Sequence, residues 1–320
     1  MSPYNTSNSS LGFILSGIPG LEEYHFWIGL PLISMYIVAI LGNGTLLYII
    51  RTEQELHEPM YIFLFMLSFV DMLLATTTMP RMLAIFWSNS IEIGFNNCLV
   101  QMFFIHFLSA LESGILVAMA IDRYVAIRHP LRYTSILTTQ TIIKICLVIA
   151  VRGTAVMVPI PLLIKRLTFC KNNLLTHSYC LHQEAMKLAC GDFKVNIVYG
   201  LFVILSVMGV DSLFISLSYL LILKTVVGLV EEASLKAIST CAAHICAVLV
   251  YYMPLIGLSV VHRFNASSIP NLHILLANIY LLVPPVLNPI VYGIKTQQIR
   301  RRLSKIFRGK EKWKLTSSKL

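Results

Sequence analysis

Phe26 to Ile50 reads FWIGLPLISMYIVAILGNGTLLYII, twenty-five positions without one charged side chain. A bilayer's hydrocarbon core, about 30 Å thick, takes roughly 20 mostly apolar residues in a helix, so this stretch is long enough to cross it. Six more stretches of the same kind follow, approximately Met60–Phe86, Cys98–Ile121, Ile145–Ile164, Val195–Leu223, Ala237–Val261 and Ile269–Ile294. No soluble domain and no repeat appears between them. The reading is an all-α membrane protein whose transmembrane domain, residues 26–294, is a bundle of seven helices.

Composition agrees. Of the 320 residues 57% are apolar and only 12% charged, outside the range of soluble domains. Apolar content is too high for a disordered chain, Gly and Pro are too few for a collagen-like one, and seven Cys are too sparse for a disulfide scaffold. A net charge of +10 would by itself suggest nucleic-acid binding, but no stretch forms a solvated basic domain, so no nucleic-acid partner is expected.

The charge instead orients the chain, because cytoplasmic flanks retain Lys and Arg. With the amino terminus outside, seventeen of the 25 fall on the inner side and seven on the outer, while Arg152 lies within the fourth span. Asn5-Thr6-Ser7 and Asn8-Ser9-Ser10 are glycosylation sequons, which fit an extracellular tail over residues 1–25. No cationic leader with a short apolar run and cleavage site is present, so the first span is expected to direct insertion. Cys98, Cys170, Cys180 and Cys190 lie at or beyond the outer face, where disulfides persist, and allow three pairings. A bridge from the loop 165–194 to the third span would hold that loop as a lid. Cys146, Cys241 and Cys246 lie within spans, as small packing residues. After the last span, Ile299, Leu303, Ile306 and Phe307 form one stripe among Arg300, Arg301, Arg302, Lys305 and Arg308, the pattern of an amphipathic helix over 295–308 on anionic inner-leaflet lipid. Residues 309–320 read as a disordered basic tail.

Local motifs narrow the class. Met119-Ala120-Ile121-Asp122-Arg123-Tyr124-Val125-Ala126-Ile127 ends the third span, Pro59-Met60-Tyr61 with Leu67-Ser68 and Asp71 marks the second, and Ser218-Tyr219 the fifth. Lys236-Ala237-Ile238-Ser239-Thr240-Cys241 followed by His244 opens the sixth, and Pro285-Val286-Leu287-Asn288-Pro289-Ile290-Val291-Tyr292 closes the seventh. Together they resemble the odorant receptors, rhodopsin-like G-protein-coupled receptors, over essentially the whole chain. Gly17-Ile18-Pro19-Gly20-Leu21 and Ser259-Val260-Val261-His262-Arg263-Phe264 are similar to the fish-like class I members. Arg128 departs from the Cys usual in the family.

The resemblance implies a multi-pass plasma-membrane receptor that takes a small volatile or short-chain oxygenated ligand and activates a heterotrimeric stimulatory G protein to raise cAMP. It also implies disulfides Cys98–Cys180 and Cys170–Cys190, and an inner switch in which Asp122 holds Arg123, beside Tyr124, at rest. Pro removes an amide donor from a helix, so Asn288-Pro289 lets the seventh span bend and Tyr292 change packing. Charges at Asp71, Glu112, Arg152 and Asp211 are expensive within a bilayer and each needs a partner, water or protonation. The resemblance places Asp71 and Glu112 beside Asn43 and Asn288, where two carboxylates suit a sodium ion; a hydrogen-bonded pair sharing a proton is the alternative. No other cofactor is expected.

For the ligand, His106, Ser109 and Ser113 share one face of the third span with Met102 one turn above, and Tyr252, Ser259 and Arg263 share one face of the sixth. With the loop pair His182-Gln183 they form a set of donors suited to a carboxylate, or to the acceptor oxygen of an aldehyde or alcohol. Where amine receptors carry an Asp this chain has Ile105, so a cationic ligand is not expected, and apolar outer halves suit an aliphatic tail. The last span has no Lys for covalent retinal. A transporter or channel fits poorly, since seven spans do not divide into inverted halves. His57-Glu58 lacks the second His of a zinc protease motif and no GxSxG occurs, so no catalysis is assigned.

Overall fold

The seven apolar stretches fold as seven long helices in a computed structural model describing residues 12–88, 90–170, 173–228, 231–264 and 272–305, except for side chains at 231–237, 239–240, 259–264 and 272–273. They are α1 (His25–Thr52), α2 (Pro59–Ser88), α3 (Phe95–Arg128), α4 (Thr139–Met157, continued by Pro159–Lys165), α5 (Lys194–Val226), α6 (Glu231–Phe264) and α7 (Leu272–Lys295). All seven are long and apolar enough to cross a membrane. Most outrun the apolar stretch that marked them, because helical hydrogen bonding continues past the hydrocarbon into the flanks. Asn5, Asn8, Ile306, Phe307, Arg308 and the tail 309–320 lie outside the described residues.

Exposure is inverted relative to a soluble domain. Leu41, Val198 and Leu213 on the outside are each at least 65% exposed, whereas Asn43, Asp71, Glu112, Asp122, Asp211, His244 and Asn288 are buried. Lipid tails cannot satisfy polar groups, so those groups face one another along the axis of the bundle. α3 is the central element, with contacts to α2, α4, α5 and α6. Two glycines set close approaches: a Cβ at Gly114 would meet Ile149 of α4 at 2.8 Å, and one at Gly42 would meet Pro289 of α7 at 3.0 Å.

Two local departures from regular helix matter. In α5, Leu205–Gly209 winds as a π-helical turn, which inserts a residue into the register and precedes the buried Asp211. In α7, Pro289 has no amide to bond the carbonyl four residues earlier; Asn43 of α1 supplies the missing donor, its Nδ2 reaching the Pro285 oxygen at 2.8 Å.

The segment read as an extracellular tail is partly built into the fold. β1 (Gly12–Leu15) runs antiparallel to β2 (Glu92–Gly94) and parallel to β3 (Leu174–Leu175). Strand alternation turns Phe13 and Leu15 inward, and both are buried. The stripe after α7 likewise differs from an all-lipid contact: the chain is helical over 297–305, Ile299 is fully buried in the bundle, Leu303 packs against it, and Arg302 pairs with Glu53.

Candidate functional site

At the end of α3 that begins with Phe95, the structure joins Cys98 to Cys180 and Cys170 to Cys190. The first bridge draws the loop 165–194 over the bundle, and Gln101 fixes it further: its Oε1 accepts the Cys180 amide at 3.1 Å while its Nε2 donates to the Thr77 carbonyl at 3.1 Å. Within this lid a short helix, His182–Lys187, starts with a buried His182, which lies within charge reach of His106 on α3 and beside Gly200 of α5. The Nε2 atoms of both imidazoles are buried without a hydrogen-bond partner. Burial pushes the His182 imidazole down to about 4, so it stays neutral at physiological pH and keeps one N–H to donate.

The other predicted ligand residues divide. Gln183 is half-buried on the lid helix, and Ser109 is buried with its hydroxyl unpartnered. Met102 is fully buried in the apolar cluster under the lid with Phe95, Leu99, Cys180 and Ala185. Tyr252 and Ser113 bond each other instead, at 2.8 Å. Ser259 and Arg263 lie in the last turns of α6, and their side chains are outside the described residues.

A second constellation crosses the bundle below. Arg152 of α4 holds Asp211 of α5 through two contacts, Nη1 to Oδ1 at 2.5 Å and Nη2 to Oδ2 at 2.6 Å. Ser113 donates to Asp211 Oδ2 at 2.6 Å, so Tyr252 of α6 must donate to Ser113 Oγ. Arg152 and Asp211 are thus each other's partner, a pairing the sequence left open. The signal was present, two opposite charges in adjacent apolar spans, but the register of α5 was not. Deeper still, Asn288 donates to Asp71 Oδ2 at 3.0 Å, and Glu112 lies within reach of the Asp71 charge. Asp71 Oδ1, both Glu112 oxygens, Asn43 Oδ1 and Asn288 Oδ1 are buried without hydrogen-bond partners. This donor set is all oxygen and suits a small hard cation, although no group of three or more His, Cys, Asp or Glu occurs among the described residues.

At the far end Arg123 donates to Asp122 Oδ2 from Nε at 3.0 Å and Nη2 at 2.7 Å, and Asp122 Oδ1 accepts from Tyr133 at 2.7 Å. Burial and then the Asp122 charge push the Tyr133 phenol well up, keeping it a donor. Tyr124 packs with Ile222, Val226 and Cys241. Tyr133 was missed because it lies on a short helix beyond the span. His244 joins α6 to α3 and α5: its Nε2 faces the Leu116 carbonyl at 3.0 Å and therefore carries the proton, and Nδ1 meets Tyr219 at 2.6 Å. Tyr292 is fully buried, with its hydroxyl toward Met119 sulfur.

The family model described as olfactory receptor matches residues 32–310 of this chain. The chain belongs to the olfactory receptor family. It is 59% identical to human olfactory receptor 51E1 over 95% of this chain and 96% of that protein. It is 58% identical to mouse olfactory receptor 51E2 over 92% and 93% of the two chains, and 52% identical to human olfactory receptor 51G2 over 95% and 97%. Olfactory receptors are seven-helix G-protein-coupled receptors of the plasma membrane that bind odorants and are not enzymes.

Proposed function

We propose that this olfactory receptor binds a short aliphatic carboxylic acid beneath the lid and activates a stimulatory G protein that raises cAMP. The observation that carries the reading is the pair of buried imidazoles, His106 and His182, whose Nε2 atoms have no partner under a disulfide-anchored lid. A buried polar atom without a partner is costly, and a ligand oxygen relieves it. Gln183, Ser109, Ser259 and Arg263 complete the donor set, with Arg263 supplying the charge that favours an acid over an aldehyde or alcohol. Met102 and the apolar upper bundle take the aliphatic tail, and Tyr252 connects that level to the Arg152–Asp211 pair.

In this reading the amino terminus is extracellular, with glycans at Asn5 and Asn8, and the lid end faces outside. Asp122, Arg123 and Tyr124 form the G-protein face, while Asn288, Pro289 and Tyr292 relay movement along α7. Sodium held by Asp71 and Glu112 steadies the resting bundle, and membrane lipid contacts the basic segment 295–308. A cAMP screen of acids, aldehydes and alcohols of matched chain length tests the function, with Arg123→Ala as control. Acids should rank first, and Arg123→Ala should abolish the response at unchanged surface level. A response that survives Arg123→Ala would remove the coupling assignment, and one confined to amines would remove the ligand assignment.

A further inference from the structure

A groove of about 430 Å³ opens between α2 and α3 at the lid end, its walls including Thr77, Arg81, Glu92, Asn97, Val100 and Phe104. It is separate from the ligand site: Val100 and Phe104 lie roughly 200° around α3 from Met102 and His106. They are 55% and 44% exposed, so this wall faces lipid. Phe104 lies on the order of 14 Å further along the helix than Phe95, at the usual rise per residue, so the groove runs from the water boundary well into the hydrocarbon.

Its polar end carries both signs of charge. Arg81 Nη1 donates to Ser90 Oγ at 3.4 Å and Nη2 to the Glu92 carbonyl, while Nε is buried with no acceptor. Neither Arg81 nor the exposed Glu92 carboxylate forms an ion pair among the described residues. A simple anion would meet Arg81 but be repelled by Glu92, and anionic lipid is concentrated in the cytoplasmic leaflet. A headgroup bearing a phosphate and an ammonium satisfies both side chains.

We propose that this groove binds a zwitterionic phospholipid, its phosphate on Arg81, its ammonium against Glu92 and an acyl chain along Val100 and Phe104. The choice of leaflet rests on the orientation proposed above; the charge pairing does not. Gln101, also in the wall, holds the Cys180 amide, so the bound lipid braces the anchor of the lid.

The test uses the full chain in phosphatidylcholine–phosphatidylglycerol vesicles in which one lipid at a time carries brominated chains. Phe104→Trp provides a local fluorophore, read as the difference from the unsubstituted chain, with Val100→Trp as a second reporter should the first fail to fold. Brominated phosphatidylcholine should quench it in preference to phosphatidylglycerol by about five-fold, the equivalent of one exposed ion pair. Arg81→Gln should remove the preference, and Glu92→Gln should turn it toward phosphatidylglycerol. Equal quenching by both lipids, stronger quenching by phosphatidylglycerol, or a preference indifferent to both substitutions would overturn the proposal. Because the readout is lipid contact, failure here leaves the odorant response untouched.

Discussion

Asp211 joins four helices through a few atoms: Arg152 on α4 holds both its oxygens, and Ser113 on α3 links it to Tyr252 on α6. Its side chain is 2% exposed, so removing one partner leaves an uncompensated buried charge. Arg152→Met should lower stability by about 3–5 kcal/mol, and adding Asp211→Leu should return most of it, as thermal melting in detergent would show. The sequence made plain that both charges needed partners, since each stands alone in an apolar span. It did not give the pairing, because helices exposed to lipid are apolar all round and carry little facial signal, and the π-helical turn at Leu205–Gly209 shifts the register invisibly. His106 and His182 were legible as donors from residue type and position; their burial with unpartnered nitrogens was not.

At the scale of the element, α7 holds Pro289 without an orphaned carbonyl because Asn43 caps Pro285 from α1. Asn43→Leu should therefore cost about 1–3 kcal/mol, and the cost should shrink in a Pro289→Ala background, where the helix regains its own amide donor. A double-mutant cycle of melting temperatures checks this; equal costs in both backgrounds would refute the cap. The lid gives a pH dependence. The His182 imidazole lies near 4 when buried but near its ordinary value of about 6.5 once the lid opens, so the open form binds more protons in between. Lid stability should be complete above about pH 6.5 and fall as pH drops toward about 4. Burial alone would raise the Glu184 carboxyl, but Lys187, His177 and Thr176 hold it below its usual range, so its loss comes at lower pH. Hydrogen-exchange protection of the lid helix, taken relative to the intrinsic exchange rate at each pH, should fall on acidification across that window, and His182→Gln should weaken the dependence.

Across the whole molecule, the seven spans were legible because a run of apolar residues long enough to cross a bilayer is a stronger signal than any local propensity. The strand Gly12–Leu15 was not, since four residues of weak alternation acquire meaning only when β2 and β3 are placed beside them by the fold. The molecule that results concentrates its polar groups in three levels, under the lid, at the centre and at Arg123, and the proposed acid engages the first through its head group. The direct measurement is the cAMP response to a carboxylic acid and to the alcohol of equal chain length, in the unaltered receptor and in Arg263→Ala at equal surface expression. Acid recognition through Arg263 predicts that the acid loses potency by roughly ten-fold to a hundred-fold, the value of about 1.5–3 kcal/mol for a charge-assisted contact, while the alcohol loses less. Equal losses for acid and alcohol, or none for either, would contradict it.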